Sequence, residues 1–203
     1  LLEVAVENLN NIYKQSFFGK RFRLSWRAPI LCGAILKELP SKSVIDVGCA
    51  VGDLVKGFME LGVDAYGLEG ASGCLPFLEC PRDRVFIHDL RLLAYPNVVT
   101  RRFDLVTCFE VAEHIEPEWA IMFVRNVTDM SSRILASFAP PGQGGHYHVN
   151  CQPMSYWEKL FGVFGFVRDA SVEECVKTRI RRWDAKPGIK AIYQNLGYFE
   201  EQL

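Results

Sequence analysis

An α/β fold built on a mainly parallel sheet is predicted by two features of this 203-residue sequence. Short apolar, β-branched runs alternate with segments of crossover length, the pattern of strands laid side by side in one direction. The first of those runs ends in an acid, and two glycines four residues apart follow before a helix begins. Open α/β sheets bind ligands at such strand ends.

Apolar residues recur at helical spacing from Val4 to about Tyr13 and again from Arg27 to Leu39, with the aromatic and basic stretch Phe17 to Trp26 between them. Two helices therefore precede the first strand. Pro40-Ser41-Lys42 closes the second, and Ser43-Val44-Ile45-Asp46-Val47 reads as a short buried strand. Leu54 to Leu61 is the helix after the glycine turn. Further strands are expected at Ala65–Glu69, Val85–His88, Phe103–Phe109 and Arg133–Phe138. Ser155 to Phe164 makes a helix, Gly165 to Arg168 begins a strand, Val172 to Trp183 is helical, and Gln194 to Glu200 is a final strand. No repeat, linker or low-complexity segment interrupts this order, so one domain is expected, with residues 1–39 packing on or capping the site of a core formed by 40–203.

Composition supports one well-buried core: 49% of the residues are hydrophobic and 23% charged. A formal charge of −1 supplies no global field toward nucleic acid or an anionic membrane. Seven cysteines without a C-x-x-C pair point to reduced thiols and a cytoplasmic setting rather than a disulfide framework or zinc ribbon. Leu1 to Leu9 lack the features of a signal peptide, no apolar run reaches membrane-spanning length, and the Leu-Leu start suggests a trimmed N-terminus.

Two cofactor classes compete for the turn Asp46-Val47-Gly48-Cys49-Ala50-Val51-Gly52-Asp53. A dinucleotide site wants G-x-G-x-x-G, but the register from Gly48 has Ala50 and Asp53 in place of the later glycines, and an aspartate there opposes a pyrophosphate. S-adenosylmethionine has no phosphate, and its α-amino cation suits a strand-end carboxylate such as Asp46. The segment resembles motif I of class I S-adenosylmethionine-dependent methyltransferases, D/E-x-G-x-G-x-G, with Ala50 replacing one glycine and therefore expected to have an unstrained φ.

That resemblance implies a three-layer, Rossmann-like fold with a seven-stranded sheet whose last strand is antiparallel. It implies donor contacts along Gly48, Cys49, Ala50 and Gly52. In Tyr66-Gly67-Leu68-Glu69-Gly70 it gives Glu69 the ribose hydroxyls, beside Gly70. In Ile87-His88-Asp89-Leu90 it gives Asp89 the adenine amine and Leu90 the ring. Phe103 to Ile115 resembles motif IV, which places Phe109 and Glu110 beside the donor methyl. His148 to Trp157 looks like the H-x-N-x-Q-P-x-x-Y-W run of a group of stand-alone methyltransferases.

Methyl transfer to a hydroxyl requires alignment, exclusion of water and removal of a proton, for which histidine is suited near neutral pH. His148 is the first candidate, His114 the second and His146 the third, with Glu110 beside them. The expected acceptor is the hydroxyl of a small molecule or glycan, with no metal. Glu110, Glu113 and His114 also have i, i+3, i+4 spacing, which on a helix would join them with His146 or His148 around a divalent cation. That alternative resembles metal-dependent small-RNA 2′-O-methyltransferases, and a noncatalytic donor-binding module is a third. Lys177, Arg179, Arg181 and Arg182 read as a solvated face. Phe17, Phe18 and Trp26 either cap the acceptor pocket or belong to the core.

Overall fold

A computed structural model describes residues 9–95 and 98–202. Seven strands form one sheet: β1 Ser43–Val47, β2 Asp64–Glu69, β3 Val85–Ile87, β4 Leu105–Phe109, β5 Arg133–Ser137, β6 Phe166–Arg168 and β7 Leu196–Glu201. Their order across the sheet is β3-β2-β1-β4-β5-β7-β6. The first five run parallel, and β7 lies antiparallel to both β5 and β6. The seven-stranded, mainly parallel prediction is met.

The helices are α1 Gln15–Phe22, α2 Ala28–Glu38, α3 Asp53–Glu60, α4 Ala120–Met130, α5 Met154–Val163, α6 Ala170–Ile180 and α7 Lys190–Asn195. Both faces of the sheet are covered, so the central strands are buried along nearly their whole length rather than alternately. Val44 and Leu105 pack with Ile35, Val55 and Phe58 on one side. Ile45 and Val106 turn to the other face, against Phe123, Val127 and Trp157.

Strand order reverses at β1, which pairs in parallel with β2 on one side and β4 on the other. Such a switch point opens a crevice at the carboxyl ends of the strands, which is where the glycine turn lies.

Departures from the predicted boundaries have local causes. The fourth strand starts at Leu105 rather than Phe103, because Asp104 turns aside to accept the amides of Lys42 and Ser43 at 2.7 and 2.9 Å. The stretch from Phe17 contains helix α1, whose mixture of lysine, arginine and phenylalanine obscured its period. A short helix, α7, occupies the start of the predicted last strand. Most of the first predicted helix lies outside the described residues, although 9–12 are helical. Among the described residues no helix is long and apolar enough to cross a membrane.

Candidate active site

The turn after β1 is built from left-handed residues. Gly48 and Gly52 have φ of +74° and +71°, and Ala50 between them has φ of +49°. The expectation of an unstrained alanine is therefore wrong: the turn curls so that the Ala50 amide donates to Glu69 Oε2 at 3.0 Å. That bond offsets part of a conformational cost of roughly 1–2 kcal/mol. A Cβ at Gly48 would lie 2.2 Å from Val111 Cγ2, so only glycine lets the β1 turn and the segment after β4 approach this closely. Among the described residues three non-glycines have positive φ, Ala50, Glu110 and Tyr147, and all three belong to the loops gathered at this end of the sheet. Strain of this kind collects at functional sites.

A cavity holding about 840 Å³ of empty space, its open mouth included, lies above the strand ends. Gly48, Ala50, Glu69, Gly70, Asp89, Leu90, Phe109, Glu110 and His114 line it from the sheet side. Glu69 is held by two backbone amides, Ala50 on Oε2 and Ala71 on Oε1, each at 3.0 Å. Every carboxylate oxygen can accept more than one donor, so both retain capacity for hydroxyls. Asp89 is buried and gripped by the Arg91 guanidinium, with the nearest contact at 2.6 Å.

Three predicted donor residues stand behind the wall rather than on it. Asp46 is buried and accepts the Thr107 hydroxyl at 2.7 Å, while burial pushes its pKa up to about 7. Cys49 turns its sulfur toward Gly67, where a Cβ would come within 2.5 Å of it. Gly52 packs on Cys80. Asp53, whose charge argued against a pyrophosphate, is paired with Arg27 at 3.1 Å, so that electrostatic argument is weaker in the folded chain than in the sequence.

Other lining residues come from the N-terminal segment: Leu9, Tyr13, Phe17, Phe18, Arg21 and Arg27. Phe17 and Phe18 face the cavity, whereas Trp26 is exposed and does not line it. Arg21 was missed by the motifs. It makes no ion pair among the described residues, and its guanidinium lies 5.1 Å from the Phe17 ring centroid. The only signal for it in the sequence was the basic and aromatic character of that stretch.

The E-x-x-E-H segment is not an α-helix. Glu110 is left-handed at φ +57°, and Ala112–His114 makes a single 3₁₀ turn, so the expected i, i+3, i+4 face does not form. Glu110 instead accepts the Ser137 hydroxyl at 2.8 Å and the Gln143 amide at 3.1 Å. Glu113 turns inward and is fully buried. Its carbonyl takes the amides of Val149 and Asn150, which pins the glycine-rich loop and brings His148 Nε2 to 4.0 Å from Glu113 Oε1. Potential ligand atoms of Glu113, His114 and His148 all lie within 4.8 Å of one another.

His114 lines the cavity, and its Nδ1 donates to the Tyr147 carbonyl at 3.1 Å. Burial, reinforced by the neighbouring His148, lowers its pKa to about 4, so the ring is neutral near pH 7. His148 stands behind it, the two ring centroids 4.9 Å apart, and is not itself part of the cavity wall. His146 is exposed and bonds the Ile12 carbonyl at 3.0 Å. The late basic run is spent in part on surface pairs, Arg179 with Glu38 and Arg181 with Glu174.

Known proteins share the family and the fold. The profile of a methyltransferase domain family matches residues 23–142. The ubiquinone biosynthesis O-methyltransferase of Psychrobacter arcticus is 27% identical over 160 residues, covering 70% of this chain and 57% of that protein. Its counterpart in Acinetobacter baylyi is 28% identical over 135 residues, covering 63% and 50%. The chain thus spans about half the length of these curated relatives. Among solved structures, magnesium protoporphyrin IX methyltransferase of Synechocystis with bound S-adenosylhomocysteine superposes with a TM-score of 0.55 at 20% identity, covering 80% of this chain and 84% of that one. The YcgJ protein of Bacillus subtilis gives 0.59 at 14% identity, covering 85% and 98%. Sheet order, strand-end cavity and family match converge: the chain belongs to the methyltransferase domain family, of the class I, Rossmann-like, S-adenosylmethionine-dependent kind.

Proposed function

We propose that this chain is a single methyltransferase domain that moves the methyl group of S-adenosylmethionine to a hydroxyl of a small molecule or glycan. One observation carries the reading: a single cavity joins the glycine turn, the strand-end acids Glu69 and Asp89, and His114. The sulfonium supplies an activated methyl group, and the residues supply its placement. Glu69 accepts the ribose hydroxyls with the lone pairs that its two amide donors leave open. Asp89 and Leu90 border the adenine, and Arg21 takes the methionyl carboxylate through a charge-assisted pair. Asp46 favours the ammonium from behind the turn.

In-line displacement forms the bond from acceptor oxygen to methyl carbon as the carbon–sulfur bond breaks, leaving a thioether and a methylated oxygen. The hydroxyl proton is lost at the Glu113–His114–His148 cluster beside the cavity. Tyr13, Phe17 and Phe18 form an apolar roof that excludes competing water. The names of the ubiquinone biosynthesis relatives favour an O-methylation of a small molecule. Cytoplasmic residence remains part of this reading, on the unpaired cysteines.

The test is calorimetric titration with S-adenosylhomocysteine and, in parallel, NADH, with Glu69→Ala as control. Binding of the thioether product that the substitution weakens at least tenfold supports the reading and licenses an acceptor screen. Binding of NADH instead, or of neither, overturns it.

A further inference from the structure

Among the described residues, Glu113 is a buried carboxylate, its side chain 0% exposed, whose oxygens are both left without a hydrogen-bond partner. The backbone amides of Glu113 itself and Ala139 favour its charged form, although neither closes a full hydrogen bond to it. A buried carboxylate left this way forfeits its hydration without replacement, a cost of at least about 1–3 kcal/mol. A cation seated beside it would replace that lost hydration.

The two histidines beside it are oriented for the same purpose. A carbonyl oxygen only accepts, so the His114 nitrogen on the Tyr147 carbonyl and the His148 nitrogen on the Gln143 carbonyl must each carry the proton. Both bonds are made by Nδ1, at 3.1 and 3.2 Å, which leaves the lone pair of each ring on Nε2. A backbone carbonyl that fixes the tautomer of an imidazole is the usual outer support of a metal-binding histidine. Tyr147 adopts φ +57° where it presents its carbonyl to His114, so the backbone is strained at the supporting contact itself.

The geometry points to a divalent-cation site formed by Glu113, His114 and His148. Two neutral imidazoles and one carboxylate are the donor set of an open metal site, with a further position left for water or a substrate oxygen. Tetrahedral coordination at ordinary bond lengths sets ligand atoms roughly 3.4 Å apart. The three ligand atoms, all within 4.8 Å of one another, draw in toward that value when an ion binds. Glu110 is not a ligand, because Ser137 and Gln143 already hold its carboxylate. The site itself stands on this geometry alone; its use, as the Lewis acid that receives the acceptor hydroxyl beside the donor methyl, rests on the proposed methyltransferase reading.

Chelator-treated protein is titrated with Co²⁺, followed by calorimetry and by the visible ligand-field spectrum, without any acceptor. One equivalent should bind with a spectrum of nitrogen and oxygen ligation, and Glu113→Gln and His148→Ala should each weaken binding at least tenfold. S-adenosylhomocysteine titrations of the same samples report whether each variant remains folded and test the donor reading separately. Metal binding without donor binding sinks the methyltransferase reading and keeps the site. Donor binding without stoichiometric Co²⁺ overturns the site. So does Co²⁺ affinity that both variants leave unchanged, or an intense thiolate charge-transfer band, which would assign the ion to cysteine.

Discussion

The Ala50 amide donates to the Glu69 carboxylate at 3.0 Å, tying the left-handed turn after β1 to the end of β2. One contact thus holds the conformation of the turn and aims the acid. Glu69→Ala is expected to reduce S-adenosylhomocysteine affinity about 10- to 100-fold, because charge-assisted hydrogen bonds are worth roughly 1.5–3 kcal/mol. Glu69→Gln should recover part of that loss, since an amide oxygen still accepts from Ala50. Calorimetry on both variants checks the order.

Arg21 gives a sharper test of how the donor lies. Arg21→Ala should weaken S-adenosylhomocysteine by about tenfold or more through loss of a charge-assisted pair. Methylthioadenosine, which lacks the amino-acid carboxylate, should bind the variant and the parent alike. Equal loss for both ligands would show that Arg21 acts on the fold of the roof rather than on the carboxylate.

Donor affinity should depend on pH through Asp46. Burial raises its pKa to about 7, so below that pH the folded protein holds a proton that an incoming ammonium must displace. Affinity is expected to fall as pH drops from 7 toward 5, and Asp46→Asn should flatten the profile. The sign for stability is opposite. Folded Asp46 keeps its proton between about pH 4 and 7 while the unfolded chain releases it, so this contribution is fully present below about pH 4 and is lost as pH rises through 7. Denaturant midpoints across that range, compared between parent and Asp46→Asn, read the difference.

Adjacent glycines in the post-β5 loop predict contrasting outcomes. A Cβ on Gly145 would come within 2.0 Å of His148 Nε2, whereas one on Gly144 would meet nothing within 4 Å. Gly145→Ala should displace the histidine and lower turnover about 10²-fold or more while leaving donor affinity unchanged. Gly144→Ala should be neutral in both. Steady-state rates with any acceptor found by screening, set beside calorimetric donor affinities, separate the two.

Much of the fold was legible because its signals are local. In Ser43–Val47, Val44, Ile45 and Val47 put apolar side chains on both faces, and that says the strand is buried between two layers. The placement of Glu69 and Asp89 was legible for a related reason: Glu69 ends β2 and Asp89 follows β3 by two residues, which puts both acids at the sheet edge. The spacing of Glu110, Glu113 and His114 misled, because periodicity presumes helical backbone and cannot register one residue at φ +57°.

By itself, then, the sequence determined the alternation of strands and crossovers, the glycine turn and the acids at the strand ends, all properties of neighbouring residues. Only the tertiary structure decided that Arg21 from the N-terminal segment reaches the cavity, that Asp53 is neutralised by Arg27, and that Glu113 meets His148 after more than thirty intervening residues that include α4 and β5. Those contacts depend on how separate segments close on one another, and the chain records no spacing for them because the intervening residues are free to vary in path.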